Sequence, residues 1–428
     1  MPSLFYTKHS VWQQVNSDFA VTKTVHHYLW YQHVGKALGV LLFNAGYSYD
    51  AQYRSLAFFM KLIAPNLGIF HIDACTSSWH SFMTDDGSPL ELSWDWGTSD
   101  SQPTIRYSIE PIGQKAGTTL DPLNLIVGPV FEDQLVQLLQ NLSLEWFHHF
   151  QEFFKGLDDD GQELVDLQDH NTSVFYAFDL TDTDTVAKVY FFPKSRAIAH
   201  KESNLEVLVQ AIRSAPYSTD SNLNALTTFV EFSSDIASAG LEYEMLAIDL
   251  IDPLESRIKI YFRCRETTFD SVAKIMTLGG RICNPNLHRG LGDLRELWGA
   301  LFGVCGDHPL KEVHHRTGGM LYNVEFRLGD LCPVAKIYLP VRHYSSSDGA
   351  VIRGIDKFFQ SRRRGAYMKA YKDVMTTLFG SEELATRSGA QTYVGCSIRP
   401  NGALRLVSYF KPPLSSRRAS SSNASLLL

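Results

Sequence analysis

The sequence lacks the features that define several large classes of protein. Its 428 residues contain no run of about 18 or more apolar residues, which argues against a membrane-spanning helix. The N-terminus has no basic stretch followed by an apolar one, so we expect no secretory signal. The six cysteines lie far apart and form no CxxC pair. This spacing argues against a zinc site or a disulfide framework and predicts a reduced, cytoplasmic protein.

Motifs for nucleotides, metals and nucleic acids are also missing. No GxGxxG or GxxxxGKS/T loop occurs, which argues against a nucleotide-binding enzyme. No DDxxD pair occurs, and the acidic run Asp158-Asp159-Asp160 is predicted to be a turn rather than a metal site. The formal net charge of -7 argues against a general nucleic-acid binder.

What the sequence does contain is a repeated pair of strand-like segments. The tripeptide Lys-(Val/Ile)-Tyr begins at Lys188, Lys259 and Lys336, and each copy follows a strand-like run and a polar turn. β-Branched and aromatic runs on both sides of such a turn predict a hairpin. Two further pairs flank residues 98–102 and Pro400-Asn401-Gly402. The sequence therefore predicts five hairpins, or ten strands.

Segments with helical periodicity separate the hairpins. Such patterns run from Phe131 to Trp146 and through 204–213, 220–236, 268–277 and 352–379. Antiparallel pairs separated by helices argue against a parallel sheet, and a ten-stranded sheet tends to curl and close. We therefore predict an α+β fold in which ten antiparallel strands form a closed barrel surrounded by helices.

The predicted domain organisation is simple. Residues 1–411 are expected to form a single domain, with a helical lead-in segment at 1–85 and the barrel with its helices at 86–411. The Ser/Arg-rich stretch 412–428 is predicted to be a disordered tail.

Side chains on the predicted strands alternate between an apolar face and a face rich in Lys, Arg, Tyr and Glu. The apolar faces must pack on the helices, so the polar faces are predicted to line the lumen. Six cations lie on these faces: Arg106, Lys188, Arg257, Lys259, Lys336 and Arg399. Buried cations need counter-charges, and a surplus over the few carboxylates predicts an anionic ligand, most simply a diphosphate.

Tyrosines accompany these cations. Five share the polar faces, the last of them depending on the register after the Asn-Gly turn: Tyr190, Tyr261, Tyr338, Tyr393 and Tyr409. A phenol donates hydrogen bonds to phosphate, and its ring stabilises a nearby carbocation by roughly 0.5–2 kcal/mol. A diphosphate beside an aromatic cage is the environment that favours ionisation of an allylic diphosphate.

Several separate motifs extend this interpretation over about residues 80–410. They are TDDGSPLELSWDW, IRYSIEPIG, KVYFFP, RIKIYFRC, TLGGR and AKIYLPVRHY. Together they resemble the dimethylallyltryptophan synthase (DMATS) family of fungal aromatic prenyltransferases. The resemblance implies the ABBA barrel of ten antiparallel strands and transfer of a dimethylallyl group from dimethylallyl diphosphate to an electron-rich aromatic ring. It also implies that no metal or other cofactor is required.

The resemblance assigns roles to the candidate residues. The six cations would bind the donor diphosphate and the five tyrosines would shield the allyl cation. Glu91 matches the family's catalytic, acceptor-binding glutamate, which would accept the indole N–H; the alternative is an ion pair with a lumen arginine. Phe175, Phe192 and Glu244 would line the acceptor pocket. Lys336 stands where the family more often has glutamine, so we expect tighter diphosphate binding.

Two departures from the family pattern bear on the acceptor. Members that act on free tryptophan tend to have a lysine at Phe175 and a carboxylate-binding arginine at Glu244. A phenylalanine takes up no proton and a glutamate repels a carboxylate, so the predicted acceptor is a tryptophan-containing cyclic dipeptide, an indole terpenoid or another elaborated indole. A phenolic or polyketide aromatic and free tryptophan remain alternatives. The rearomatising base is left open between Glu244, Glu91 and water, with His314 and His315 interpreted as a solvated loop pair.

Other classes fit the sequence less well. If the protein were a non-catalytic barrel that binds small molecules, we would expect it to have lost Glu91 or one of the six cations that would bind the diphosphate. All seven residues are present. A metal-dependent isoprenoid synthase is opposed by the missing aspartate motif. The expected partners are therefore dimethylallyl diphosphate and an aromatic small molecule, with no nucleic acid and no membrane. The sequence leaves open a homodimer, the ring position attacked, and normal or reverse attachment.

Overall fold

A computed structural model describes residues 10–19, 24–70, 78–155, 170–235, 240–282, 284–304 and 306–414. Within them ten strands form a closed barrel in which every neighbouring pair is antiparallel, in the order β1-β10-β9-β8-β7-β6-β5-β4-β3-β2. The strands are β1 (Leu90–Gly97), β2 (Thr104–Ile109), β3 (Val174–Leu180), β4 (Thr185–Phe191), β5 (Glu242–Asp249), β6 (Ile258–Cys264), β7 (Met320–Phe326), β8 (Val334–Leu339), β9 (Gln391–Ile398) and β10 (Leu404–Phe410). The predicted barrel of five hairpins is confirmed.

Helices surround the barrel. They are α1 (Val11–Asp18), α2 (Val25–Trp30), α3 (Lys36–Asn44), α4 (Tyr49–Phe58), α5 (Val127–Leu138), α6 (Glu145–Phe153), α7 (Lys194–His200), α8 (Asn204–Arg213), α9 (Asn224–Ser234), α10 (Phe269–Met276), α11 (Leu287–Phe302), α12 (Val341–Tyr344), α13 (Asp348–Gln360), α14 (Met368–Phe379) and α15 (Ser381–Thr386). The pattern predicted over 352–379 is two helices, because the chain turns between them at Gly365, which has φ +135°. Among the described residues no helix is long and apolar enough to cross a membrane. The acidic run at 158–160 and residues 415–428 lie outside the described part of the chain.

The outward faces of the strands form the main core. On β1, Trp94 and Trp96 are buried, and the Trp96 ring centroid lies 5.0 Å from Phe359 of α13 and 4.9 Å from Tyr371 of α14 in edge-on contacts. Burial of an apolar side chain of this size contributes about 1.5–3 kcal/mol or more, so these faces hold the helices on the barrel. A second, smaller apolar cluster is separate from this core and includes Tyr261, Tyr338 and Leu321 on the inward faces.

One helix start fixes the beginning of β9. Ser347 caps α13, and its hydroxyl accepts a hydrogen bond from the Ala350 backbone N–H at 3.1 Å. The next residue, Asp348, is buried, and its carboxylate accepts the backbone N–H groups of Ala390 at 3.0 Å and Gln391 at 2.7 Å. This contact fixes the start of β9, so that Thr392 and Tyr393, which follow Gln391, lie at one mouth of the barrel.

The antiparallel order sorts the lumen residues into two ends. The late residues of odd strands and the early residues of even strands meet at the same end, which we call the cationic end; Asp95, Asp249, Arg106 and Arg405 mark it. Glu91, Phe175, Glu244 and Arg263 mark the opposite end, which we call the glutamate end. A single strand, β1, supplies carboxylates to both ends, because Glu91 and Asp95 are an even number of residues apart and face the lumen together.

Candidate active site

A cavity with about 130 Å³ of free space lies in the barrel lumen. Six cations line it: Arg106, Lys188, Arg257, Lys259, Lys336 and Arg405. Five of them are among the six cations predicted from the sequence, and Arg405 is an addition. The remaining predicted cation, Arg399, follows the end of β9 at the cationic end but does not line the cavity.

Four carboxylates that the sequence analysis did not assign hold five of these six cations in place, all except Lys336: Asp95, Asp179, Asp249 and Glu325. The fully buried Asp95 carboxylate is shared by Arg106 and Arg405. Asp249 accepts hydrogen bonds from Arg257 Nε at 2.7 Å and from Lys259 Nζ at 2.6 Å. These five cations are thus held in place before any ligand binds, which is the preorganisation that anion binding requires.

The buried charges shift each other in a consistent direction. Burial raises the pKa of Asp95, Asp179 and Asp249, but the neighbouring cations outweigh it, and all three pKa values lie below their usual range. Burial also lowers the pKa of Lys188 to about 8 and that of Lys336 to about 7. The carboxylates therefore stay ionised, and the lysines are the groups that can lose their charge near neutral pH.

The cavity carries a surplus of positive charge. Its six lining cations face four carboxylates, which leaves two positive charges uncompensated when all three lysines are protonated. Arg399 adds a third at the same end, close enough that Arg405 and Glu325 influence its pKa, which burial lowers. An anion with several charges is the ligand that balances this set.

Tyrosines form the wall between the two ends. Four of the five predicted shield residues line the cavity: Tyr190, Tyr261, Tyr338 and Tyr409. The Tyr261 and Tyr338 hydroxyl oxygens are 3.2 Å apart, and the Tyr338 and Tyr409 ring centroids are 5.6 Å apart. The fifth, Tyr393, lies beyond the cavity lining, with its ring edge-on to Tyr338 and its hydroxyl 3.4 Å from Arg342 Nη2. Burial raises the pKa of Tyr261 and Tyr338, so their hydroxyls remain hydrogen-bond donors.

Glu91 faces the lumen at the glutamate end. Its Oε1 accepts a hydrogen bond from the Thr392 hydroxyl at 2.6 Å. Burial raises the pKa of Glu91 to about 7, and the Thr392 hydrogen bond and the charge of Arg342 only partly offset this. Among the described residues no lysine or arginine lies within ion-pair distance of Glu91, so the alternative role as an arginine partner finds no contact here.

Phe175 and Phe192 form an apolar wall at the same end. Their rings meet edge-on with centroids 5.0 Å apart, and Phe82 contacts Phe192 edge-on at 5.9 Å. Phe82 in turn stacks on His170 at 3.7 Å, and the Arg316 guanidinium lies 4.2 Å from its ring centroid. An aromatic acceptor ring fits a wall of this composition.

Glu244 is not an isolated negative charge. Arg263, which is buried, donates from its Nε to Glu244 Oε1 at 2.7 Å and from Nη1 to the Thr317 carbonyl oxygen at 3.2 Å. Arg263 therefore compensates the negative charge from which the sequence analysis argued that Glu244 repels a carboxylate, and the elaborated-indole acceptor stays a prediction.

Two further arginines stand beside this pair. Arg342 Nη1 lies 2.9 Å and Arg316 Nη2 3.4 Å from the Asp85 carboxylate. With Arg263 this makes three arginines against Asp85, Glu244 and Glu91, so the surplus is local: Arg316 and Arg342 share the single carboxylate of Asp85, while Arg263 is paired with Glu244. None of the three was identified from the sequence, and Arg316 and Arg342 lie outside the strands.

The two adjacent histidines differ. His314 is exposed, as expected of a solvated loop residue, and lies 3.3 Å from Glu312. His315 is also an exposed loop residue, as expected, but it lies at the mouth of the barrel, where its Nδ1 is 2.8 Å from the Thr317 hydroxyl. Asp85, His315 and His343 bring one ligand atom each within 4.8 Å of one another. Arg316 and Arg342 already occupy the Asp85 carboxylate and would repel a metal ion, so we assign none to this cluster.

A closed antiparallel barrel with a cation-lined and tyrosine-lined lumen is the architecture of the ABBA aromatic prenyltransferases. A family described as tryptophan dimethylallyltransferase matches residues 26–374, and the chain belongs to this family. It is accordingly an aromatic prenyltransferase of the DMATS type. The family resemblance predicted from the sequence motifs is confirmed.

Individual relatives cover nearly the whole chain. The chain is 36% identical over 408 residues to 4-O-dimethylallyl-L-tyrosine synthase of Claviceps purpurea, covering 92% of this chain and 90% of the relative. It is 31% identical over 396 residues to 7-dimethylallyltryptophan synthase of Aspergillus fumigatus, covering 89% and 84%. The crystal structure of AnaPT from Neosartorya fischeri superposes with a TM-score of 0.81 at 26% identity, covering 94% and 98%. NotF in complex with brevianamide F and DMSPP gives the same TM-score at 24% identity, covering 94% and 99%, which supports the fold alone.

Proposed function

We propose that this protein transfers a dimethylallyl group from dimethylallyl diphosphate to the phenol oxygen of an aromatic amino acid, with L-tyrosine as the first acceptor to test. The observation that carries the acceptor class is a local arginine surplus at the glutamate end, where Arg316 and Arg342 share the single carboxylate of Asp85 while Arg263 is paired with Glu244. A free amino acid brings the carboxylate that this surplus favours. The similarity to a tyrosine O-prenyltransferase supports the same choice.

The cationic end would bind and ionise the donor. The bond between C1 of the dimethylallyl group and the diphosphate oxygen breaks, and both electrons leave with the diphosphate. The six lining cations stabilise the developing negative charge. The tyrosine wall stabilises the allyl cation through its ring faces and excludes water from it.

Glu91 would accept the phenol proton. As the phenol oxygen forms its bond to C1 of the allyl cation, the O–H bond breaks and the proton moves to the Glu91 carboxylate. With a pKa raised by burial to about 7, this carboxylate is a base matched to neutral pH. Attack through oxygen needs no second base for an arenium C–H, which suits a pocket with Phe175 at the position of the family's lysine.

The glutamate end would also orient the amino acid. The substrate carboxylate would bind Arg316 and Arg342 in place of part of their contact with Asp85, and the ammonium group would gain a partner in Asp85. The ring would lie against Phe175 and Phe192. With diphosphate and carboxylate both neutralised by side chains, the proposed reaction requires no metal.

A chelator-containing assay with purified protein and dimethylallyl diphosphate tests this function. The acceptors would be L-tyrosine, tyramine, L-tryptophan and a tryptophan-containing cyclic dipeptide, read by mass for one added prenyl unit and by fragmentation for the site of attachment. We expect O-prenylated L-tyrosine as the main product and much weaker turnover of tyramine, which lacks the carboxylate. A strong preference for the cyclic dipeptide would overturn the acceptor assignment and restore the elaborated indole predicted from the sequence.

A further inference from the structure

Lys336 is the cavity cation without a carboxylate partner. The other five lining cations each contact at least one carboxylate: Arg106, Lys188, Arg257, Lys259 and Arg405. In the described part of the chain no carboxylate oxygen lies within ion-pair distance of Lys336 Nζ. Its nearest polar neighbour is the Tyr409 hydroxyl oxygen at 3.3 Å, and it lies 4.4 Å from the Tyr338 ring centroid.

The groups that face Lys336 disfavour a positive charge on it. From β2 and β10 it faces Arg106 and Arg405, which repel an ammonium group, and the Tyr409 hydroxyl. From β7 and β9 it faces its cross-strand neighbours Asn323 and Ser397, which are uncharged. The carboxylates that attract it, Glu325 of β7 and Asp95 of β1, are already occupied by arginines.

We propose that Lys336 is a mainly neutral amine in the empty barrel at pH 8 and takes up a proton when the donor diphosphate binds, so that donor binding is coupled to proton uptake. The inference rests on the proposed use of the lumen as the diphosphate site. The proton comes from solvent, the amine becomes an ammonium group, and no other bond changes. The diphosphate supplies the counter-charge that the protein does not.

The size of the effect follows from the charges around the amine. Burial, with Arg106 and Arg405, lowers the pKa of Lys336 to about 7 in the empty barrel, and a bound diphosphate raises it. Proton uptake by this residue should therefore be about 0.1 per bound donor at pH 6 and about 0.9 at pH 8. Above about pH 8 the donor affinity should fall roughly tenfold per pH unit until the pKa of the occupied site is reached.

Lys336 thereby distinguishes this chain from a barrel with glutamine at the same position. Glutamine would donate a hydrogen bond at every pH, whereas lysine offers an extra positive charge only once an anion is present. Donor binding itself then sets the charge of the donor site, because it causes the protonation of Lys336. The empty lumen thereby avoids one uncompensated buried cation.

Isothermal titration calorimetry on the full chain tests the proposal. The ligand is dimethylallyl thiolodiphosphate, which does not turn over, titrated in phosphate-free buffers of contrasting ionisation enthalpy at pH 6 and pH 8. The comparison uses wild type, Lys336→Arg, which keeps the charge at both pH values, and Lys336→Gln, which has none. Because the ligand is the same throughout, its own protonation cancels in the difference.

We expect wild type at pH 8 to take up about 0.9 proton more than either variant, with the difference nearly absent at pH 6. Equal uptake by wild type and Lys336→Arg would overturn the proposal while leaving the donor site intact. The pH dependence of the difference between wild type and Lys336→Arg provides a second readout, because Lys188 and the ligand contribute to both proteins; this difference should rise with a midpoint near pH 7, and a difference that does not vary with pH would equally contradict the proposal. Absence of any ligand binding would instead refute the proposed function.

Discussion

Removal of the Glu91 carboxylate should separate chemistry from donor binding. Glu91 lies at the glutamate end of the lumen, opposite the cationic end, so Glu91→Gln should leave the affinity for the thiolodiphosphate donor analogue unchanged. The amide accepts no proton, and loss of a general base typically costs about 10²–10⁴-fold in kcat. Single-turnover kinetics with L-tyrosine would measure this step directly.

The pH profile gives a sharper form of the same prediction. Glu91 acts as a base only when ionised, so kcat should fall as the pH drops through its pKa of about 7. The Thr392 hydroxyl hydrogen-bonds the carboxylate and lowers this pKa, so Thr392→Val should move the acidic limb to higher pH by about one unit. Thr392→Ser keeps the hydroxyl and serves as the matched control, with no expected shift.

Either of two results would refute this reasoning. Turnover of Glu91→Gln above half the wild-type rate would remove Glu91 from the mechanism. An acidic limb that stays at the same pH in Thr392→Val would show that the limb belongs to another group. Glu110 is one such group, because burial also raises its pKa to about 7.

Three further predictions concern the rest of the lumen. Asp95→Asn should lower the free energy of unfolding by about 3 kcal/mol, because Arg405 loses its partner while Arg106 keeps Asp179; denaturant titration measures this, and added inorganic diphosphate should recover part of the loss. Tyr261→Ala should raise the share of dimethylallyl alcohol relative to prenylated product, whereas Tyr261→Phe, which keeps the ring, should not; equal shares would contradict the shielding role. Arg342→Gln should raise KM for L-tyrosine at least tenfold and leave KM for tyramine unchanged, and equal effects on both acceptors would argue against a carboxylate contact.

Strand alternation explains why so much of the barrel could be predicted. The hairpins follow from local turn chemistry, and the period of two assigns a face to each residue without knowledge of the partner strand. The same reasoning extends to two residues that were overlooked. Arg263 shares parity with Lys259 and Tyr261, and Arg405 shares parity with Tyr409, so both could have been placed in the lumen from the sequence.

Other site residues depend on contacts that alternation does not describe. A register irregularity between Tyr243 and Met245 of β5 breaks the parity on that strand, so the position of Glu244 beside Arg263 could not be derived from its number. Asp85 and Arg342 lie outside the strands, and the sequence between them contains β1 to β8. Only closure of the barrel brings the Asp85 carboxylate within 2.9 Å of Arg342 Nη1. The charge balance at the glutamate end is therefore a tertiary property, and the acceptor proposed above rests on it rather than on Glu244 alone.

The two ends of the lumen solve the same electrostatic problem in different ways. At the cationic end, Asp95, Asp179 and Asp249 remain ionised under the influence of their cations, so they cannot reduce the positive surplus by changing protonation. The lysines are left as the adjustable groups, and Lys336 is the one that lacks a carboxylate partner among the cavity-lining residues. At the glutamate end, three arginines keep their charge near neutral pH, so the adjustable group is the carboxyl of Glu91. A proton taken up by Lys336 on donor binding and a proton taken up by Glu91 in the reaction would then leave the barrel more positive than when it was empty. Release of diphosphate and prenylated product must therefore return both protons to solvent, which predicts that turnover slows at acid pH through Glu91 and at alkaline pH through Lys336.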